Sequence, residues 1–316
     1  MTIPMSADHR RGVGRAGHLA RVEARGVSSR LAVRSCAHPD TGPSSAARIV
    51  REVRDLYEAL AAAPDLTPGP AIDEIFGCLV SLAIDPVASR DAAAVLADPS
   101  VTAILPELRR LCAEGEFELE RSWARHVVEH PDPCGELARF PYHQNYRDLT
   151  RLEHHTVAGL TATPPQRVLF IGSGPLPLTS LLLADRHRCR VDNLDLAPEA
   201  ARLGAALAHA VGSRGMTFHA GDVLDDPADL DPGDYDLVYL AALAGLDHEA
   251  KDRLLSHLGR RLRPGTLVLA RSAHSLRGLL YPVLDPADLP GLDTLAVVHP
   301  FTDVVNSVVV ARVTAS

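Results

Sequence analysis

The chain has 316 residues, 46% of them hydrophobic and 23% charged, enough for one large or two modest domains with buried cores. A net charge of -8 argues against a general nucleic-acid binder, and no apolar run reaches the roughly 18 residues that a membrane span needs. The 5 cysteines are scattered with no CxxC pair, which fits a reducing, cytoplasmic setting better than a disulfide framework.

In chain order, residues 1–45 read as a basic arm, disordered or loosely docked. They carry Arg10, Arg11, Arg15, Arg21, Arg25, Arg30 and Arg34, few acids and no apolar stretch of the kind a secretory signal needs. Residues 46–160 read as a helical domain. "ARIVREVRDLYEAL" places Ile49, Val53, Leu56, Tyr57 and Leu60 on one helical face, and "APDLTPGPA" breaks the pattern. After "AIDEIFGCLVSLAI" comes a long helix, expected to begin near Pro106 and to end at Pro131 and Pro133.

From residue 161 to 316 the period changes. Short apolar strands ("RVLFIG", "CRVDNLDL", "MTFHAGD", "YDLVYLAAL", "TLVLAR") alternate with helices, the signature of a doubly wound parallel sheet. The end departs from this: "LAVVHP" and "VVNSVVVARV" are two strands with no helix between them. The fold class expected is therefore α/β, a Rossmann-like sheet with a terminal antiparallel hairpin as in S-adenosylmethionine (SAM) methyltransferases, preceded by an all-helical N-terminal domain.

The loop "IGSGPLPLTS" follows the first of these strands. Gly172 and Gly174 permit a tight turn and a close backbone approach to a ligand, with Ser173 and Pro175 between and beside them. Pro177 stands where a dinucleotide fingerprint has its third glycine, and no Lys-Ser/Thr follows as in a phosphate-binding loop. Few free N–H donors suit a neutral ribose and a methionine tail. Asp195, closing the second strand, could accept both ribose hydroxyls, and Asp222, after the third, an adenine amine. Ala241 at the end of the fourth strand completes the candidate SAM wall, since ligands bind at the carboxyl ends of such strands. Either aspartate could instead be a turn cap.

Several stretches resemble the nicotianamine synthases: "FIGSGPLPLTS", "YLAALAGL", "ARSAHSLRGLLYPVL" and "VVHPFTDVVNSVVVAR", with "LCAEGEFELE" and "FPYHQNYRDLTRLE" in the helical half. The resemblance runs from about residue 105 to 313. It implies transfer of the 3-amino-3-carboxypropyl group of SAM to an amine, with release of 5′-methylthioadenosine. SAM is then a substrate, no metal is needed, and the site is enclosed between the two halves. It also implies roles for Glu116 as general base, Tyr142 as an orienting phenol, and Glu120 and Tyr146 as neighbours, with Glu114 a further family glutamate. Read without the resemblance, the acidic run reads first as a solvated face paired with Arg121 and Arg125.

The chain departs from the family pattern at His143, where a tyrosine is usual, at Ala197, and in "HPFTD". His143 in the pocket would imply a small-molecule acceptor other than the family's (an amine, an amino acid or a phenol) and few transfers. It would also allow closure of SAM on itself to azetidine-2-carboxylate. Ordinary methyl transfer and non-catalytic SAM sensing stay as rivals, and neither nucleic acid nor membrane is expected as a partner. "HVVEH" has the spacing of a metal site without an evident third ligand, and Arg271 reads either as structural or as a carboxylate ligand.

Overall fold

The computed structural model describes residues 45–227 and 230–315. The basic arm expected over 1–45 lies, apart from Ser45, outside the described residues. Helices α1 (Ser45–Ala61), α2 (Pro70–Ile84) and α3 (Ser89–Leu96) precede the long α4 (Pro99–Glu129), and α5 (Pro133–Leu137) and α6 (His143–Ala158) complete the helical layer. Their apolar stripes meet in one core, where Ile49, Val53, Leu60, Leu79, Val95, Val101 and Leu108 are buried. Leu276, Leu279 and Leu280, from far along the chain, belong to the same core. Arg109 on α4 also donates to the Gly278 carbonyl at 3.1 and 2.5 Å.

One expectation is corrected here. Helix α4 begins at Pro99, not near Pro106, and Pro106 lies inside it. Asp98 caps the start by accepting from Ser100 N at 2.9 Å. Pro106 is exposed, so the carbonyl left without a backbone partner by the missing N–H lies on the solvent side and the helix continues.

The second half is a sheet with strands β1 (Arg167–Ile171), β2 (Arg190–Asp195), β3 (Met216–Ala220), β4 (Leu237–Leu240), β5 (Leu267–Ser272), β6 (Leu292–Val298) and β7 (Ser307–Val313). Helices α7 (Leu178–His187), α8 (Pro198–Ala210) and α9 (His248–Arg261) make the crossovers. The order is β3-β2-β1-β4-β5-β7-β6; β1 to β5 are parallel and β7 is antiparallel to both its neighbours. This is the expected α/β fold with its terminal hairpin. Near-continuous apolar burial along β1, β4 and β5 is what a sheet covered on both faces requires. No helix among the described residues is long and apolar enough to cross a membrane.

Candidate active site

A cavity of about 870 Å³ lies at the carboxyl ends of β1, β2, β4 and β5, walled on its other side by α2, α4 and α6. Its floor is the glycine loop. Gly172 and Gly174 have φ of 76° and 69°, the left-handed region that glycine enters without strain, and a Cβ on Gly174 would collide with Glu120 Oε2. Asp195 spans this loop: Oδ2 accepts from Gly174 N at 2.8 Å and Oδ1 from Ala197 N at 2.9 Å. Burial raises its carboxyl and these two N–H groups oppose the shift. Asp222 also lines the cavity and caps the turn after β3 by accepting from Leu224 N at 2.9 Å. Ser173 is buried with no hydrogen-bond partner for Oγ among the described residues, and Pro175 and Ala241 line the wall. Leu196, 72% exposed, and Leu224 stand at the same end of the cavity, an apolar pair suited to a flat heterocycle.

The helical wall brings two carboxylates inward. Glu116 and Glu120 sit one turn apart on α4 and share its cavity face with Cys112 and Trp123. Tyr281 donates to Glu116 Oε2 at 2.9 Å, and Tyr146 donates to Glu120 Oε1 at 2.8 Å. Burial raises both carboxyls. Glu120 is lifted much further, because the negative charge of Glu116 and then of Asp195 adds to its desolvation. The same burial keeps the Tyr146 and Tyr281 phenols protonated as donors, and raises Tyr142.

The other glutamates of the acidic run behave differently. Glu114 is exposed and binds Arg110 at 2.8 Å, Glu118 pairs with Arg121, and Arg125 pairs with Glu199. The run therefore splits into an ionic face and a face turned to the cavity on one helix.

His143 is corrected. Tyr142, Asn145, Tyr146 and Leu149 line the cavity at helical spacing, and His143, one residue out of phase, does not. Its ring is half-buried; that burial, and then the charges of Arg147 and Arg186, lower its pKa. The ground it offered for an altered acceptor or a short product is withdrawn. His126 likewise turns to Glu136, with Nε2 to Oε1 3.0 Å, and no group of three metal-ligating side chains occurs among the described residues.

Arg271, next to last in β5, lies in the cavity wall. Nε and Nη2 meet the two oxygens of the fully buried Glu153 at 2.7 and 3.1 Å, and Nη2 also meets Thr179 Oγ1 at 2.7 Å. Burial disfavours the guanidinium, but the Glu153 carboxylate more than offsets this and holds it above its usual range. Sequence reasoning missed Tyr281, Glu153 and Lys251. Lys251, wholly buried on α9, donates Nζ to the carbonyls of Ala241 at 3.2 Å and Ala244 at 2.8 Å, fixing the loop after β4. An unbroken "EAKDRLL" on an amphipathic helix offered no signal that its lysine points inward.

Comparison with known proteins bears on residues 42–316. The profile of the family described as "Nicotianamine synthase protein" matches residues 42–316. Nicotianamine synthase 9 of Hordeum vulgare is 40% identical over 271 residues, which cover 84% of this chain and 78% of that protein. Nicotianamine synthase of Solanum lycopersicum is 38% identical over 269 residues, 84% and 83% of the two chains. Among solved structures, MtNAS in complex with MTA and tNA has a TM-score of 0.74 at 24% identity, covering 87% of this chain and 100% of that one, a likeness of fold.

Proposed function

The chain belongs to the nicotianamine synthase family, and from that premise we propose that it transfers the 3-amino-3-carboxypropyl group of SAM to an amine, releasing 5′-methylthioadenosine. The observation that carries this reading is the pair of dry, phenol-bonded carboxylates, Glu116 and Glu120, facing the glycine loop across one cavity. An incoming ammonium must lose a proton before its nitrogen can attack.

In this site SAM lies with its ribose on Asp195 and its adenine toward Asp222, Leu196 and Leu224. The sulfonium activates three carbons, and the one that faces the acceptor reacts. The amine lone pair attacks the methionine γ-carbon. The carbon–sulfur bond breaks, and its electrons neutralise the sulfonium, giving the thioether of methylthioadenosine. The proton released from nitrogen passes to Glu116. Burial raises both carboxyls, and the charges of Glu116 and then of Asp195 raise Glu120 further, so Glu116 is the better proton acceptor of the two. An ammonium titrates near 10, so each unit by which burial lifts Glu116 narrows the mismatch by about 1.4 kcal/mol. Tyr142 orients the acceptor from the α6 side. The acceptor is a small molecule, and a cytoplasmic setting suits the scattered cysteines.

The nucleoside released on incubation with SAM and amines tests the reading: methylthioadenosine supports it, whereas S-adenosylhomocysteine means methyl transfer.

A further inference from the structure

Polar groups remain in the cavity that the transfer step leaves unused. Arg271 commits Nε and Nη2 to Glu153 and Thr179, and Nη1 has no hydrogen-bond partner among the described residues. Asn306, just before β7, holds Nδ2 buried without one, and so does Ser180 Oγ on α7. All three residues line the cavity. β5 and β7 are paired with Arg271 opposite Val308, so strand alternation puts Asn306 diagonally beside Arg271 on the same face, roughly 7–8 Å away. The loop that carries Asn306 is held to α6 by Asn145, which donates to the Asp303 carbonyl at 2.7 Å. Among the described residues the only other cationic side chain in the wall is Arg253, which is exposed and paired with Glu249 at 3.0 Å.

Free N–H and O–H donors around one buried guanidinium form a receptor for an anion with two oxygens. We propose that Arg271, Asn306 and Ser180 are the anchor for an α-amino-acid carboxylate, an inference that rests on the transfer reading above. Strands lie about 4.8 Å apart, so β5 and β7 are roughly 14 and 19 Å across the sheet from the Asp195 strand. The carboxylate is therefore remote from the ribose. It belongs either to the outstretched aminocarboxypropyl arm of SAM or to an acceptor that already bears such an arm. In the first case the anchor pulls the arm along the sheet beneath α4 and presents the γ-carbon, not the methyl, to Glu116.

The test compares two nucleosides on the full chain by calorimetry: SAM, which has the carboxylate, and methylthioadenosine, which lacks it. Asn306→Leu removes the N–H₂ group at similar volume and spares the Arg271–Glu153 pair. If the carboxylate is that of SAM, Asn306→Leu weakens SAM binding by about tenfold or more, leaves methylthioadenosine unchanged, and Asn306→Asp weakens SAM further. If it is that of the acceptor, both nucleosides bind as before and the acceptor KM rises by about as much. Unchanged SAM affinity and unchanged KM overturn the anchor, as does an equal loss for both nucleosides, which a merely structural role would produce. If the unaltered chain binds neither nucleoside, the transfer reading falls and the anchor with it.

Discussion

Glu116 and Glu120 are the same residue type on the same helix face, and their surroundings divide the labour between them. Glu120 faces Asp195 and the glycine loop, and burial, then the charges of Glu116 and Asp195, raise its carboxyl well above the usual range; Glu116, bonded to Tyr281, is raised less, which makes it the proposed base. Glu116→Gln is expected to bind SAM as before and to lose roughly 10²–10⁴ in kcat. Most activity retained in Glu116→Gln, with loss in Glu120→Gln, would move the base one turn along α4. Because burial raises Glu116 above the ordinary carboxylate range, kcat/KM should fall as pH drops through that raised value, and the acidic limb should vanish in Glu116→Gln. The stability effect has the opposite sense: the folded state binds these protons more tightly than the unfolded one, so this pair favours folding increasingly as pH falls. Asp195→Ala should weaken SAM and methylthioadenosine alike by about 1.5–3 kcal/mol, since both carry the ribose; calorimetry that shows no change removes Asp195 from the ribose site. Asp195 was legible from its place at a strand end, and Glu116 and Glu120 only through the family resemblance of their motif. Tyr281 was not, because it reaches Glu116 from 165 residues away, and nothing in "LLYPVL" marks a phenol that completes a distant carboxylate's shell.

Helix phase decides which neighbours of a motif take part. Along α6 the cavity face is read by Tyr142, Asn145, Tyr146 and Leu149, and His143 falls about 100° away from it. His143→Tyr should therefore leave the product distribution and the KM for SAM unchanged, as mass spectrometry and initial rates would show; a change in the number of transfers would place the side chain back in the pocket. Helix α9 makes a different contribution. Its buried Lys251 has a pKa pulled down to about 7 by burial, and its ammonium caps two carbonyls of the loop that carries Ala241. In the unfolded chain a lysine stays protonated to about 10.4. Between these values the unfolded state binds the extra proton, so stability should rise with pH, by at most about 1.4 kcal/mol per unit. Denaturant titrations from pH 7 to 10 should show this rise, and Lys251→Met should flatten it. The order of strands and helices could be read from apolar periodicity. The start of α4 could not, because an exposed proline on the solvent side of a long helix breaks one rung without ending it.

At the scale of the whole molecule, the active cavity exists only because the helical layer and the sheet close on each other. The glycine loop, Asp195 and Arg271 come from one, and Glu116, Glu120 and Tyr142 from the other. Tyr281, from the segment whose leucines enter the helical core, joins them, and that is why no single stretch of sequence displays the site. The enclosure lets one sulfonium be opened at its γ-carbon while the methyl stays on sulfur. Labelling measures that choice directly. SAM carrying ¹³C in its methionine backbone, and separately ¹³C in its methyl group, would be incubated with the chain and amine acceptors, and every product would be weighed. The backbone label is expected in the adduct and the methyl label in methylthioadenosine, in equal amounts. Methyl label in the adduct, with the backbone label left in S-adenosylhomocysteine, would contradict the account.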